Sequence, residues 1–188
     1  MTLDGKVQAL LDKVAAQAKT TQSVSAQFRQ RSRVKLFREE LVSEGKFWFQ
    51  RPQKLRWQYD KPDSSQLTVN RGLARLSMPG EPARQFDLEH DPAMKAIFSQ
   101  LFLWLDADAL AREHRDYLLA LGPDAHTLLL TPQPGSAVAK IFSRVELHFD
   151  AKTWMMESLR IVELNGDEKE IRFFDFERNH LMPDSLFQ

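Results

Sequence analysis

Residues Gly45 to Tyr59, read as GKFWFQRPQKLRWQY, confine this chain to a sheet more tightly than any other stretch. Two aromatic-rich segments flank Arg51-Pro52. Phe47, Phe49 and Arg51 share one parity, and Leu55, Trp57 and Tyr59 share another beyond the proline. Side chains two apart on a strand point the same way. The pattern predicts two strands with a break or bend at Pro52, which has no N–H to give to a ladder. It also sets an arginine in line with two phenylalanines. A cation facing an apolar surface is costly unless its donors are met.

The same period of two recurs along most of the chain. Val24, Ala26 and Phe28, resumed by Val34 and Leu36, predict a long strand over 23–37, which turns near residues 38–40 into another at 41–50. Shorter strands are expected at 54–59, 65–70, 73–78 and 83–88, with a tight turn at Asn70-Arg71-Gly72. After residue 116 the alternation returns around Tyr117, Leu119 and Leu121, then Thr127 to Thr131, Ile141 to Phe149, Leu159 to Val162 and Ile171 to Phe176. Gly122-Pro123-Asp124 and Asn165-Gly166 supply turns. The end of the chain, Leu181 to Phe187, reads as an extended tail.

Two segments switch to a helical period. Leu3, Val7, Leu10, Leu11, Val14 and Ala18 predict an amphipathic helix over 3–19. Asp91-Pro92 is a capping residue followed by proline at the first helical position. Met94, Ile97, Phe98, Leu101, Phe102 and Leu105 follow at spacings of three and four, with Trp104 in the same apolar run. Asp106 is placed to cap a second short helix reaching about His114.

Several function classes are set aside by composition. Lys+Arg and Asp+Glu are both 26, so no net field favours nucleic acid or an anionic membrane. With no cysteine, a thiolate metal site, a disulfide framework and a cysteine nucleophile are all excluded. The five histidines have no ligand spacing, and neither a phosphate-binding glycine loop nor a serine elbow is present. No cofactor, metal or catalytic residue is expected, and the chain is read as a non-enzyme. The cluster from Asp87 to Asp91 reads as a solvated loop capping the next helix. Arg29, Arg31, Arg33 and Lys35 read by default as the solvated face of a strand, the alternative being a docking stripe for an acidic partner or lipid headgroups. Arg56 reads as simply exposed.

The fold class is therefore mainly β with helices (α+β): one curled antiparallel sheet of about ten strands, with residues 1–188 as one domain. That many strands do not stay flat and open. A curled sheet with helices over its mouth would leave either a packed core or an apolar cavity suited to an acyl chain.

The order of segments also carries a likeness. An amphipathic helix is followed by Val24-Ser-Ala-Gln-Phe-Arg-Gln30, then by the Gly45–Trp57 stretch, by Tyr59-Asp-Lys-Pro62 and, much later, by Leu128-Leu-Leu-Thr-Pro132. This series resembles the LolA family, periplasmic carriers of outer-membrane lipoproteins. It is strongest over 24–62 and clear again at 126–132. The resemblance implies an incomplete β-barrel capped by a lid of helices, with an apolar cavity that takes up acyl chains. Arg51 would hydrogen-bond to the lid and govern its opening, and Leu55 would line the cavity nearby. The implied cargo-binding and lid set also includes Phe28, Phe47, Phe49 and Trp57 and, on the helices, Leu10, Ile97, Phe98, Leu101 and Phe102.

The implied partners are an acylated lipoprotein or other amphipathic lipid, an inner-membrane transporter that supplies it, and an outer-membrane acceptor. The first residues do not read as a signal peptide, which fits either a cytoplasmic chain or one from which a signal has been removed. With the resemblance, a soluble, monomeric periplasmic carrier is expected rather than a lipid-anchored acceptor, which would need an N-terminal cysteine. The tail from His180 to Phe187 is more similar to paralogues tied to export of other amphiphiles, such as polyene lipids. A carrier of a glycolipid or polyene lipid, a protein-binding module and a lipid-cleaving enzyme are the other readings.

Overall fold

The structure is a computed structural model describing residues 3–36, 39–106, 109–110 and 114–188; the side chains of Pro92, Ala93, Ala96 and Ile97 lie outside that set. The helix expected at the start is α1, Gly5–Lys19. Asp4 accepts the Lys6 amide at its N-terminus, and its apolar stripe Val7, Leu10, Leu11, Val14 and Ala18 is buried.

Eleven strands are found among the described residues. They are β1 (Ser23–Arg33), β2 (Leu41–Gln50), β3 (Lys54–Lys61), β4 (Ser65–Asn70), β5 (Leu73–Ser77), β6 (Arg84–Asp87), β7 (Tyr117–Leu121), β8 (Thr127–Pro132), β9 (Phe142–Phe149), β10 (Met156–Glu163) and β11 (Glu168–Arg178). The second helix, α2 (Pro92–Leu105), lies between β6 and β7 in sequence. The sheet runs β6-β5-β4-β3-β2-β1-β11-β10-β9-β8-β7. Each half is a meander, and the first and last strands pair in the middle. β6 and β7 keep one neighbour each, so the sheet is not closed into a barrel.

The expected β1 is shorter than the alternation suggests. It stops at Arg33, because the Lys35 amide donates to the Asp167 side chain (2.9 Å) instead of a ladder carbonyl. Leu36 is consequently 91% exposed, not a core residue. Phe37 and Arg38, in the expected turn, lie outside the described residues.

Contacts divide the chain into two compact units. The first comprises residues 1–20, 30–41 and 103–172. Here α1 packs on β7, and Leu128, Leu130, Val145, Leu147, Phe149 and Leu159 are buried. The second comprises residues 21–29, 42–102 and 173–188. Its strands are joined by the turns read from the sequence: Arg71 and Gly72 both take positive φ (49° and 78°), as a two-residue hairpin turn requires.

Asp91 caps α2 as anticipated, its carboxylate accepting the Met94 amide at 3.0 Å. Asp106 likewise accepts the Ala109 amide at 3.3 Å, and Leu110 donates to the Asp106 carbonyl. The short helix expected after Asp106 otherwise falls largely outside the described residues.

The C-terminal tail is not extended, contrary to expectation. Asp184–Phe187 forms a 3-10 turn that packs on β3 and β4, with Met182 and Phe187 buried. An extended run would leave that phenylalanine in water; the turn brings it under the Lys54 ammonium, 5.9 Å from its ring.

Candidate functional site

The second unit brings together most of the residues singled out in the sequence. Antiparallel register sets Phe47 opposite Trp57 and Phe49 opposite Leu55 across β2 and β3. Trp57 then meets Leu67 of β4, and Leu55 meets Val69. One strand further, Leu67 faces Leu76 and Val69 faces Ala74. Opposed residues on neighbouring strands share a face, so two apolar rows cross β2 to β5 side by side.

An aromatic cluster lies on these rows. The rings of Phe28 and Trp57 are 4.8 Å apart, Phe47 and Trp57 5.4 Å, Trp57 and Phe173 5.9 Å, and Phe47 and Phe173 5.6 Å. Tyr59 meets Phe28 edge-on at 5.2 Å. The mostly tilted and edge-to-face arrangements suit the ring quadrupoles. Phe28, Phe47, Phe49, Leu55 and Trp57 are all buried, whereas Leu67 and Leu76 further along the same face are only half-buried. Neither row carries a carboxylate across β2 to β5.

Gly45 makes the cluster possible. It stands at an irregularity in the β2–β3 register, where a Cβ would lie 2.0 Å from the Gln58 carbonyl oxygen and 2.8 Å from Phe28 Cζ. Only a residue without a side chain lets the Phe28 ring and the β3 backbone come this close.

The helix α2 contributes Phe98, which is buried, and Leu101 and Phe102, which are half-buried. Phe102 meets Phe49 with ring centroids 6.3 Å apart. Ile97 lies on α2, but its side chain is outside the described residues. Leu10 belongs to the first unit, buried on α1.

Arg51 lies just beyond β2, at the expected break before Pro52. β2 ends at Gln50, and Arg51 opens the turn to β3, half-buried, with its Nε inside the protein and its amide donating to the Gln22 carbonyl at 3.0 Å.

Arg56 is more than exposed. It lies opposite Trp48, 5.5 Å from that ring, and donates from Nη2 to Gln58 Oε1 (2.7 Å) and from Nη1 to the Leu186 carbonyl (3.2 Å). This outer face of β3 also bears Lys54, which pairs with Asp184 and holds that carboxyl below its usual range. The C-terminal turn is thus fastened to the side opposite the aromatic cluster. The alternation of residues 54–58 contained this face, but nothing local announced what would cover it.

The basic stripe reads as a solvated face. Arg29 meets Glu44 (3.7 Å), Arg31 and Arg33 meet Glu40 (3.6 and 3.3 Å), and Arg33 also approaches Glu168 at 4.0 Å. In the Asp87–Asp91 loop the Asp87 carboxylate bonds the His90 ring at 2.8 Å, which lowers the acid and raises the imidazole from their ordinary values.

A sheet with two free edges, apolar rows across one of its faces and a greasy helix against them narrows the family. The model of outer membrane lipoprotein carrier protein LolA matches residues 19–188. The chain belongs to the LolA family. No curated protein matches it. Among solved structures, this LolA-family chain is similar to an uncharacterized conserved protein from Thermus thermophilus, with 13% identity, TM-score 0.55, and 96% and 92% of the two chains covered. It is also similar to the Mycobacterium tuberculosis lipoprotein LppX, with 10% identity, TM-score 0.54, and coverage of 95% and 99%. The Pseudomonas aeruginosa MucA/MucB complex matches at 14% identity and TM-score 0.52, covering 97% of this chain and 60% of the other. At such identities the likeness concerns the fold alone. No described helix of this LolA-family chain is long and apolar enough to cross a membrane.

Proposed function

We propose that this protein is a periplasmic carrier that takes the acyl chains of a lipoprotein or another amphiphile against the apolar face of its second unit. It receives them from an inner-membrane transporter and passes them to an outer-membrane acceptor, without chemistry on the cargo. The observation that carries the reading is the pair of apolar rows across β2 to β5. They are buried at Phe47 and Trp57, half-buried at Leu67 and Leu76, and met at Phe49 by Phe102 of α2 in a member of a carrier family. Each methylene withdrawn from water contributes about 0.8 kcal/mol, so modest changes in access to this face change affinity by orders of magnitude.

The cargo-binding and lid residues of this unit are Phe28, Phe47, Phe49, Leu55 and Trp57 with Phe98, Leu101 and Phe102 on α2. Arg51, half-buried where β2 ends, is the control point for opening. Substituting Arg51→Leu is expected to slow release of an acylated ligand more than its uptake. Stopped-flow loading and unloading checks this, and equal effects on both phases contradict it.

Mass spectrometry of an organic extract from protein purified out of its native periplasm tests the whole reading. Bound triacylated lipoprotein supports a general carrier. A polyene lipid or glycolipid moves the protein to a dedicated export route with the same physics. The second reading, a module that binds a protein segment, draws on the likeness to the MucA/MucB complex and on the free edges of β6 and β7, to which an extended segment could add. It predicts a peptide in the preparation and no lipid.

A further inference from the structure

Trp57 carries the one feature of the aromatic cluster that packing does not explain. The side chain is 6% exposed, yet its Nε1 has no hydrogen-bond partner among the described residues. Its ring neighbours are Phe28, Phe47 and Phe173, none of which has an acceptor atom on its side chain, and its cross-strand neighbours are Phe47 and Leu67. A buried indole normally finds an acceptor, because an unmet donor forfeits its bond with water and gains nothing in return. Phenylalanine would fill this part of the cluster without that cost, as it does at positions 28, 47 and 173.

We propose that the Trp57 indole N–H is the recognition donor of the binding face and takes the carbonyl oxygen of an acyl ester or amide. This rests on the carrier reading and sharpens it. The preferred ligand is a chain attached through a carbonyl, not a bare hydrocarbon. The apolar rows that run from Trp57 to the half-buried Leu67 and Leu76 hold the methylenes, while the indole fixes where the chain joins its headgroup. The carbonyl replaces its bond to water with one to Nε1–H inside a region of low polarity, where such a bond is stronger.

The test compares a long-chain methyl ester with the alkane of matched length, each displacing an apolar fluorescent probe from wild type and from Trp57→Phe. The wild type is expected to prefer the ester, and W57F to lose about tenfold in affinity for the ester alone, the size of one hydrogen bond. In the wild type, the ¹⁵N–¹H resonance of the Trp57 indole should move downfield with the ester and stay in place with the alkane. That second measurement decides the matter even where W57F folds poorly. Both ligands bound by wild type, with ester and alkane weakened alike in W57F or with no indole shift, overturn the assignment and leave the carrier reading standing. Neither ligand bound by wild type overturns both.

Discussion

At the scale of single residues, close approach is the decisive constraint. A methyl group at Gly45 has no room between the Gln58 carbonyl and the Phe28 ring, so either the β2–β3 pairing or the aromatic cluster must give way. Gly45→Ala is expected to lower stability by about 2–3 kcal/mol, at the severe end of overpacking. Denaturant unfolding checks this, and an unchanged midpoint contradicts it. The glycine was visible in the sequence as the start of the aromatic stretch, but its reason was not. Parity tells which face a side chain takes and nothing about how near the next backbone passes. Arg51 marks a limit of parity: it lies one residue past the end of β2, where alternation along the strand no longer fixes the side a residue takes. Arg56 was underestimated because its partners, Trp48 and the Leu186 carbonyl, come from register and from a segment 130 residues away.

At the scale of elements, the strands of the meander were legible because alternation and turn residues agree, as at Asn70-Arg71-Gly72 and Asn165-Gly166. The pairing of β1 with β11 was not, since no local pattern tells a strand which distant neighbour it will take. The C-terminal turn was missed for the same reason. Its apolar residues, Leu181, Met182, Leu186 and Phe187, are too few to show a period, and it is held by Lys54 and Arg56 on another strand. Phe187 is 2% exposed, so Phe187→Ala should cost about 3 kcal/mol or more. A change within a few tenths of a kcal/mol in chemical unfolding would show that the turn only rests on the sheet.

The loop entering α2 makes a prediction about pH. Asp87 is lowered first by its hydrogen bond to the His90 side chain, and His90 is raised first by the same bond. The acid's contribution is present above its unfolded value and disappears as pH falls through its folded one. The imidazole's is present below its unfolded value and disappears as pH rises through its raised folded one. The pair therefore supports this loop only between those two limits. Asp87→Asn should bring the His90 titration midpoint back down when followed by NMR. An unmoved midpoint would mean that the contact is not populated in solution.

At the scale of the whole molecule, the proposed function makes this LolA-family chain a receptacle defined by a face. Composition, with thirteen phenylalanines, left a packed core and an apolar cavity both open. The face itself emerges only from register, which aligns Phe47 with Trp57, Leu67 and Leu76 on successive strands. The measurement that tests the central claim most directly is displacement of an apolar fluorescent probe from the full chain by a triacylated lipopeptide, with its deacylated form as the control. The account predicts stoichiometric displacement by the acylated peptide and none by the control. Displacement by both forms alike, or by neither, would contradict a carrier of acyl chains.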